Sequence, residues 1–307
     1  MPDAVIIEAA LNGGRSRDEH PGVPLTAREL ATEAWRCADA GASVVHVHAR
    51  GRGAGWTASP AEYGRVVRAV RAAAPAVLIS ITSLRPQGVP VERITGLLDR
   101  LPPDARPDVI SVNLGHITAW TGAPLSQPGE RRAGGRRRET RHFPNSYDDI
   151  VKLLETCRTT GVAPELGLMD FGFISNAVTL RDDGILPAAP WFLLELDSPA
   201  YGGGTQVAPA TAANYAALSS ALREQFPGAR FAAHGAGIAT YAVVQRALEN
   251  GAHVRVGFED CVQAPGGGLA QSNAEQVDWA VERARALGLR PATPEEARRV
   301  IAGDGQD

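Results

Sequence analysis

Residues 26–50 read TARELATEAWRCADAGASVVHVHAR and contain one complete helix-to-strand unit. Thr26 stands three residues before Glu29, the spacing of a capping box, and Ala40-Gly41 supplies the small-residue exit that ends a helix. The chain then runs Val44-Val-His-Val-His-Ala-Arg50, rich in β-branched residues and too short for another helix. A helix feeding directly into a buried strand is the repeating unit of a parallel α/β fold.

Working outward, the same alternation recurs. Apolar runs of strand length occur at Ala4 to Asn12, Val44 to Arg50, Val77 to Ser83, Val109 to Gly115, Pro164 to Met169, Trp191 to Ser198, Arg230 to Gly235 and His253 to Asp260. Continuous apolar runs suit strands covered on both faces, as parallel sheets require, and the segments between them carry helical periodicity. Near the end, Asn273-Ala-Glu-Gln opens a helix running through Arg285. Eight such units favour an α/β fold of the (β/α)8 TIM-barrel type over an open doubly wound sheet. Residues 1–307 read as one catalytic domain, a length that barrels often reach with a single core. One stretch breaks the rhythm: 117–145 holds Gly, Pro and a basic run, Arg131-Arg132 and Arg136-Arg137-Arg138. It reads as a long loop insertion after strand four, either a solvated excursion or a lid that clamps anionic phosphates.

Composition narrows the function classes. Apolar residues make up 44% and charged residues 21%, enough apolar surface for a core. A formal net charge of −3 gives no field that would recruit nucleic acid or an anionic membrane, so small molecules are the expected partners. Cys37, Cys157 and Cys261 are far apart and form no disulfide framework, which fits a reducing cytoplasm. The start, MPDAVIIEAALNGG, lacks the basic and long apolar regions of a signal peptide.

In such barrels the chemistry sits at the C-terminal ends of the strands. Period-two alternation points His46 and His48 to one side, into the barrel, as hydrogen-bonded core residues or as metal ligands. Strand eight supports the second reading, because His253-Val-Arg-Val-Gly-Phe-Glu-Asp260 puts Arg255, Gly257 and Glu259 on one face beside strand one. Two neutral imidazoles and a carboxylate leave an open position on zinc, as a catalytic site needs. Asp260 follows as a candidate general base. An inward Arg255 requires an anionic partner: Glu259, Asp260 or substrate. Thr82 and Ser83 from strand three, and Asn113 and His116 from strand four, bring hydroxyl, amide and imidazole groups to the same rim. Glycines at Gly203 and Gly204, and at Gly235 and Gly237, are candidates for backbone approach to a cofactor.

The segments LNG, HPGVPLTARELATEAWRCADAGASVVHVHAR, VISVNLG, APELGLMDFG and GAHVRVGFEDCVQAPGGGLAQSNAEQV together resemble the β-keto acid cleavage enzymes. That family includes the 3-keto-5-aminohexanoate cleavage enzyme of lysine fermentation, and the resemblance covers nearly the whole chain outside the basic insertion. It implies a zinc (β/α)8 barrel, a homotetramer or homodimer, that converts a β-keto acid and acetyl-CoA into acetoacetate and a new acyl-CoA by retro-Claisen cleavage. By the same resemblance His46, His48 and Glu259 match the metal ligands, Asp260 the base that removes the α-proton, and Arg255 the residue that stabilises oxyanion charge.

Departures bear on the substrate. Arg15 stands near the position where the aminohexanoate enzyme carries a glutamate for the substrate ammonium, which disfavours an amino substrate and makes Arg15 a candidate to receive an acidic or hydrogen-bond-accepting substrate side chain. Thr82 replaces a family serine, Ser83-Leu84-Arg85 stands in place of a threonine and two glycines, and His116 replaces a small hydroxyl residue. After strand seven the chain reads His234-Gly-Ala-Gly-Ile238, so Ile238 falls where the family has an arginine near the cofactor mouth. Two other readings stay open: a CoA-independent metal lyase, aldolase or hydrolase, and a metal-stabilised barrel that binds ligand without turnover.

Overall fold

The computed structural model describes residues 3–121, 139–197 and 205–303. Eight parallel strands close into a barrel: β1 (Ile7–Ala10), β2 (Val44–Val47), β3 (Leu78–Thr82), β4 (Val109–Asn113), β5 (Ala163–Leu168), β6 (Trp191–Leu196), β7 (Arg230–Gly235) and β8 (His253–Val256). Each pairs with its sequence neighbours, and β8 closes on β1 through Arg255 opposite Glu8. Helices follow the strands: α1 (Ala27–Ala40), α2 (Pro60–Ala73), α3 (Glu92–Arg100), α4 (Tyr147–Thr160), α5 (Phe171–Asp182), α6 (Ala212–Gln225), α7 (Thr240–Glu249) and α8 (Asn273–Ala286). The expected barrel is therefore the fold observed. Thr26 and Glu29 form the capping box of α1, and Gly41 closes it at φ +116°.

The interior is layered, and the layering explains where chemistry can occur. Along each strand the side chains that share the barrel interior recur every second residue. The lowest of them, Ile6, Val44, Leu78, Val109, Leu193 and Ala232, form an apolar floor with Trp191. A last helix, α9 (Pro294–Ala302), packs Ala297 and Ile301 onto that floor and seals it. One layer further up, six of the strands carry Glu8, His46, Ser80, Glu195, His234 and Arg255, all buried and all polar. Burial of so many polar groups carries a large desolvation cost, and its concentration in one layer marks that layer as functional.

Three sequence expectations are revised. The 117–145 insertion is not structureless at its base: Ile117–Thr121 and Glu139–Phe143 form an antiparallel pair. Ile117 and Ala119 are buried with Thr118 between them half-buried, while Thr140, Arg141 and His142 are all exposed, so only the first strand carries a short alternation and the second carries none. The arginines at 131–138, like Gly203 and Gly204, lie outside the described residues. Strand eight ends at Val256 instead of 260, and strand two ends at Val47, so Glu259 and Asp260 are delivered by a turn and His48 by the irregular segment directly after its strand. Among the described residues, no helix is long and apolar enough to cross a membrane.

Candidate metal centre and active site

The turn after β8 carries the site. Gly257 adopts φ +140°, where a side chain is strained, and a Cβ there would collide with the Ala10 backbone of β1. This contact lets residues 257–261 fold back over the barrel mouth. The amide of Glu259 donates to Ala10 O at 3.1 Å, and those of Asp260 and Cys261 donate to Gly257 O. Helix α8 secures the turn from outside: Gln276 accepts from Gly257 N and donates to Cys261 O, while Asn273 accepts from Phe258 N. Sequence reading placed Asn273 and Gln276 only at a helix start; what they do required the tertiary contact.

That turn brings Glu259 to the two histidines. His46 Nε2 and His48 Nε2 lie 3.1 Å apart, and the Glu259 carboxylate oxygens lie 3.7 and 3.4 Å from them. Ligands about 2.0–2.1 Å from a tetrahedral zinc stand roughly 3.3–3.4 Å from one another, so the triad already has the spacing of three corners of such a site. Two facing imidazole nitrogens and a buried Glu259 Oε2 without a hydrogen-bond donor call for a cation between them. Burial pushes His46 well below the usual imidazole pKa and keeps it in the neutral, ligating form. Burial opposes ionisation of Glu259, but the Arg255 guanidinium above all outweighs it and holds the carboxyl well below its ordinary range. The residues fit a divalent metal. Its outer support is also in place: His46 Nδ1 meets Ser80 Oγ at 2.8 Å, and Asn12 bridges to both the amide and the carbonyl of His48.

Beside the triad, Arg255 Nε and Nη2 each lie 3.0 Å from the Asp260 carboxylate, and Nη2 lies 3.1 Å from Glu259. Both ends of this bidentate pair are almost fully buried. His234 Nδ1 reaches Asp260 Oδ1 at 3.3 Å. Asp260 Oδ1 is thus engaged twice and Oδ2 once, which leaves Oδ2 with a lone pair for a proton. Burial disfavours the charged imidazole of His234, yet Asp260 and then Glu195 lift its pKa above the ordinary value. Deeper in, burial raises the pKa of Glu8 and of Glu165, Glu8 further because Glu165 is beside it.

The match of a family model decides what kind of protein this is: the β-keto acid cleavage enzyme model aligns with residues 4–302. The chain belongs to the β-keto acid cleavage enzyme family. The 3-keto-5-aminohexanoate cleavage enzyme of Fusobacterium nucleatum is 29% identical over 98% of this chain and 99% of its own length. A 3-oxoadipate:acetyl-CoA acetyltransferase of Cupriavidus necator is 26% identical over 98% and 95%. Among solved structures, apo ObcA superposes with a TM-score of 0.71 at 20% identity, over 92% of this chain; the chain spans 65% of that protein's length. The chain is accordingly an enzyme that cleaves carbon–carbon bonds with acyl transfer, acts on small molecules and depends on a metal.

Within this β-keto acid cleavage enzyme the remaining candidates fall into two groups. Ser83 and Asn113 line a narrow cleft with Ile117, Phe143 and Asn145. Thr82 turns its hydroxyl to the Leu84 amide at 2.9 Å, and His116 Nδ1 accepts from Asn145 N at 3.0 Å with its ring exposed. Arg15, in contrast, faces the rim's backbone: Nε lies 3.2 Å from both Phe258 O and Glu259 O, Nη2 3.4 Å from Asp260 O, and Nη1 pairs with Glu19 at 2.7 Å. The amide of Gly235 donates to Thr240 and that of Gly237 to Asp260 O, so both are engaged within the chain. Glu8, Glu165 and Glu195 escaped the sequence reading, although each is a lone acid inside an apolar strand.

Proposed function

We propose that this family member uses zinc, held by His46, His48 and Glu259, to condense a β-keto acid with acetyl-CoA and release acetoacetate and a new acyl-CoA. The observation that carries the reading is the adjacency of Glu259 and Asp260 on one turn: the first joins the metal triad while the second joins Arg255, and both face one mouth. Relatives that transfer groups between a β-keto acid and acetyl-CoA add the co-substrate. When bound, the ion supplies Lewis acidity toward the carboxylate and keto oxygens of the substrate.

The chain's own groups supply the rest. Asp260 accepts the α-proton at Oδ2, the oxygen with spare acceptor capacity, and Arg255 stabilises negative charge as it develops on the reacting oxygens. The new bond joins that α-carbon to the acetyl carbonyl carbon as the acetyl C–S bond breaks and releases the CoA thiolate. The thiolate then adds to the original acyl carbonyl, the bond between that carbonyl and the α-carbon breaks, and the α-carbon takes back the proton held by Asp260, which gives acetoacetate and the new acyl-CoA. Atoms balance without water or an oxidant. Buried free cysteines suit a reducing cytoplasm, and the reading includes a homodimer or homotetramer.

The test is a panel of β-keto acids with the zinc-loaded protein, with and without acetyl-CoA, followed by mass spectrometry. Acetoacetate should form only when both are present. Turnover without acetyl-CoA would move the assignment to a metal lyase or hydrolase.

A further inference from the structure

Asp260 has a second tether besides Arg255, and it stands on β6 and β7. His234 is buried, and its Nδ1 lies 3.3 Å from Asp260 Oδ1. On the other side of the ring, Nε2 faces Glu195 Oε2 at 3.7 Å, too long for a direct hydrogen bond but close enough for an ion pair. Glu195 is the register partner of His234 on β6. Gly167 of β5 leaves the space that this carboxylate fills, since a Cβ there would lie 2.4 Å from Glu195 Oε1. Burial works against a charge on the ring, yet Asp260, with Glu195 behind it, draws His234 toward the imidazolium, the form that donates to an acid.

Arg255 alone does not hold Asp260 throughout the reaction. Its Nη2 is already shared between Asp260 at 3.0 Å and Glu259 at 3.1 Å. Negative charge developing on a substrate oxygen competes for the same guanidinium. Once Asp260 has taken the α-proton its carboxyl is neutral, and the charge-assisted pair with Arg255 weakens. His234 stands apart from both events. Among the described residues its polar contacts run to Asp260, to Gly235 O at 3.4 Å and to Glu195, and to none of the three metal ligands. Its strand is paired on both sides, with β6 and with β8, so the ring is mounted on the barrel wall and not on the mouth turn.

Resting on the proposed role of Asp260 as the base, we propose that His234, backed by Glu195, is a positioning residue for the reaction. It pins Asp260 Oδ1, so that Oδ2 stays turned to the substrate's α-carbon while it takes the proton and while it gives it back. The proton moves from the α-carbon to Oδ2 and returns to the same carbon, and His234 keeps its own protons throughout. Without the pin the Asp260 carboxyl is free to rotate about its side-chain torsions, and a misplacement of about 1 Å costs on the order of a hundredfold in rate.

Acetoacetate is the probe, because it is the product of the proposed reaction whatever acyl chain the substrate carries. Exchange of its C2 protons in deuterated water, followed by NMR with the zinc-loaded protein and corrected for the uncatalysed rate, reads the proton-transfer step alone. His234→Ala should slow exchange about tenfold to hundredfold, while Kd for zinc and for acetoacetate stays within about twofold. His234→Asn, whose amide N–H can stand where Nδ1–H stands, should bring exchange back to within about threefold of the unaltered protein, and Glu195→Gln should lose roughly three- to tenfold. Undiminished exchange in His234→Ala, no recovery in His234→Asn, or zinc and acetoacetate affinities falling in step with exchange would overturn the positioning role. Asp260→Asn in the same assay separates the two claims. Slow exchange there with normal exchange in His234→Ala refutes the pin alone, whereas undiminished exchange in Asp260→Asn refutes the base on which it rests.

Discussion

Gly257 packs so closely on Ala10 that a methyl group on its α-carbon would lie 2.8 Å from the Ala10 carbonyl carbon, with φ at +140°. The metal ligand on the turn after β8 therefore depends on a residue with no side chain where the turn meets β1. Gly257→Ala should push the 257–261 turn away from the mouth, lowering stability by about 2–4 kcal/mol and zinc affinity with it. Urea denaturation and a competitive zinc titration measure the two; unchanged zinc affinity would show that the turn does not depend on this approach.

Arg15 holds the same turn from the other side by three consecutive carbonyls. If it acts as a clamp, Arg15→Met should weaken zinc binding about tenfold, as outer-shell substitutions do, for every substrate alike. If it instead receives a substrate anion, zinc affinity will hold and KM will rise only for substrates with an acidic tail. Parallel zinc titration and substrate profiling distinguish the two.

Asp260→Asn keeps the shape but removes the base. Exchange of the keto acid's α-protons in deuterated water, followed by NMR in the zinc-loaded protein, should slow by about 10²–10⁴-fold. Zinc should stay bound, because Asp260 is not part of the triad. Stability should fall by roughly 3 kcal/mol, since the buried Arg255 loses its bidentate partner.

Sequence reading recovered the barrel because its evidence is redundant. Ile6-Ile7, Val44-Val45, Leu78-Ile79 and Phe192–Leu194 are apolar and buried on both faces, as covered parallel strands require. His46, His48, Arg255, Glu259 and Asp260 were legible as a constellation since they cluster within two short segments. Glu8, Glu165, Glu195 and His234 were not, as each is one polar residue in its own strand, and only closure of the barrel brings them into a single layer. A search for lone acids two residues above an apolar inward position would have found the three glutamates, though not His234. The direction of Arg15 is set by a turn almost 245 residues away and has no local signal.

On the sealed end of the barrel, His253 accepts a hydrogen bond from Ile6 N at 2.9 Å and packs against Trp191. Burial, with a smaller push from Arg230, lowers its pKa to about 4. The unfolded chain, near 6.5, binds the proton more readily, so this group's contribution to stability is complete above pH 6.5 and declines as pH falls toward 4. The loss amounts to about 3 kcal/mol over that window. Urea midpoints between pH 4 and 7 should fall less steeply in His253→Gln than in the unaltered protein; parallel curves would refute the assignment.

The most direct test of the central claim follows the carbon atoms. With acetyl-CoA carrying ¹³C at both acetyl carbons and an unlabelled β-keto acid, the acetoacetate formed should carry the label at C3 and C4, and the new acyl-CoA should carry none. Acetoacetate without label, or label retained in the CoA ester, would mean that the acetyl group is not transferred to the substrate's α-carbon and would contradict the proposed reaction.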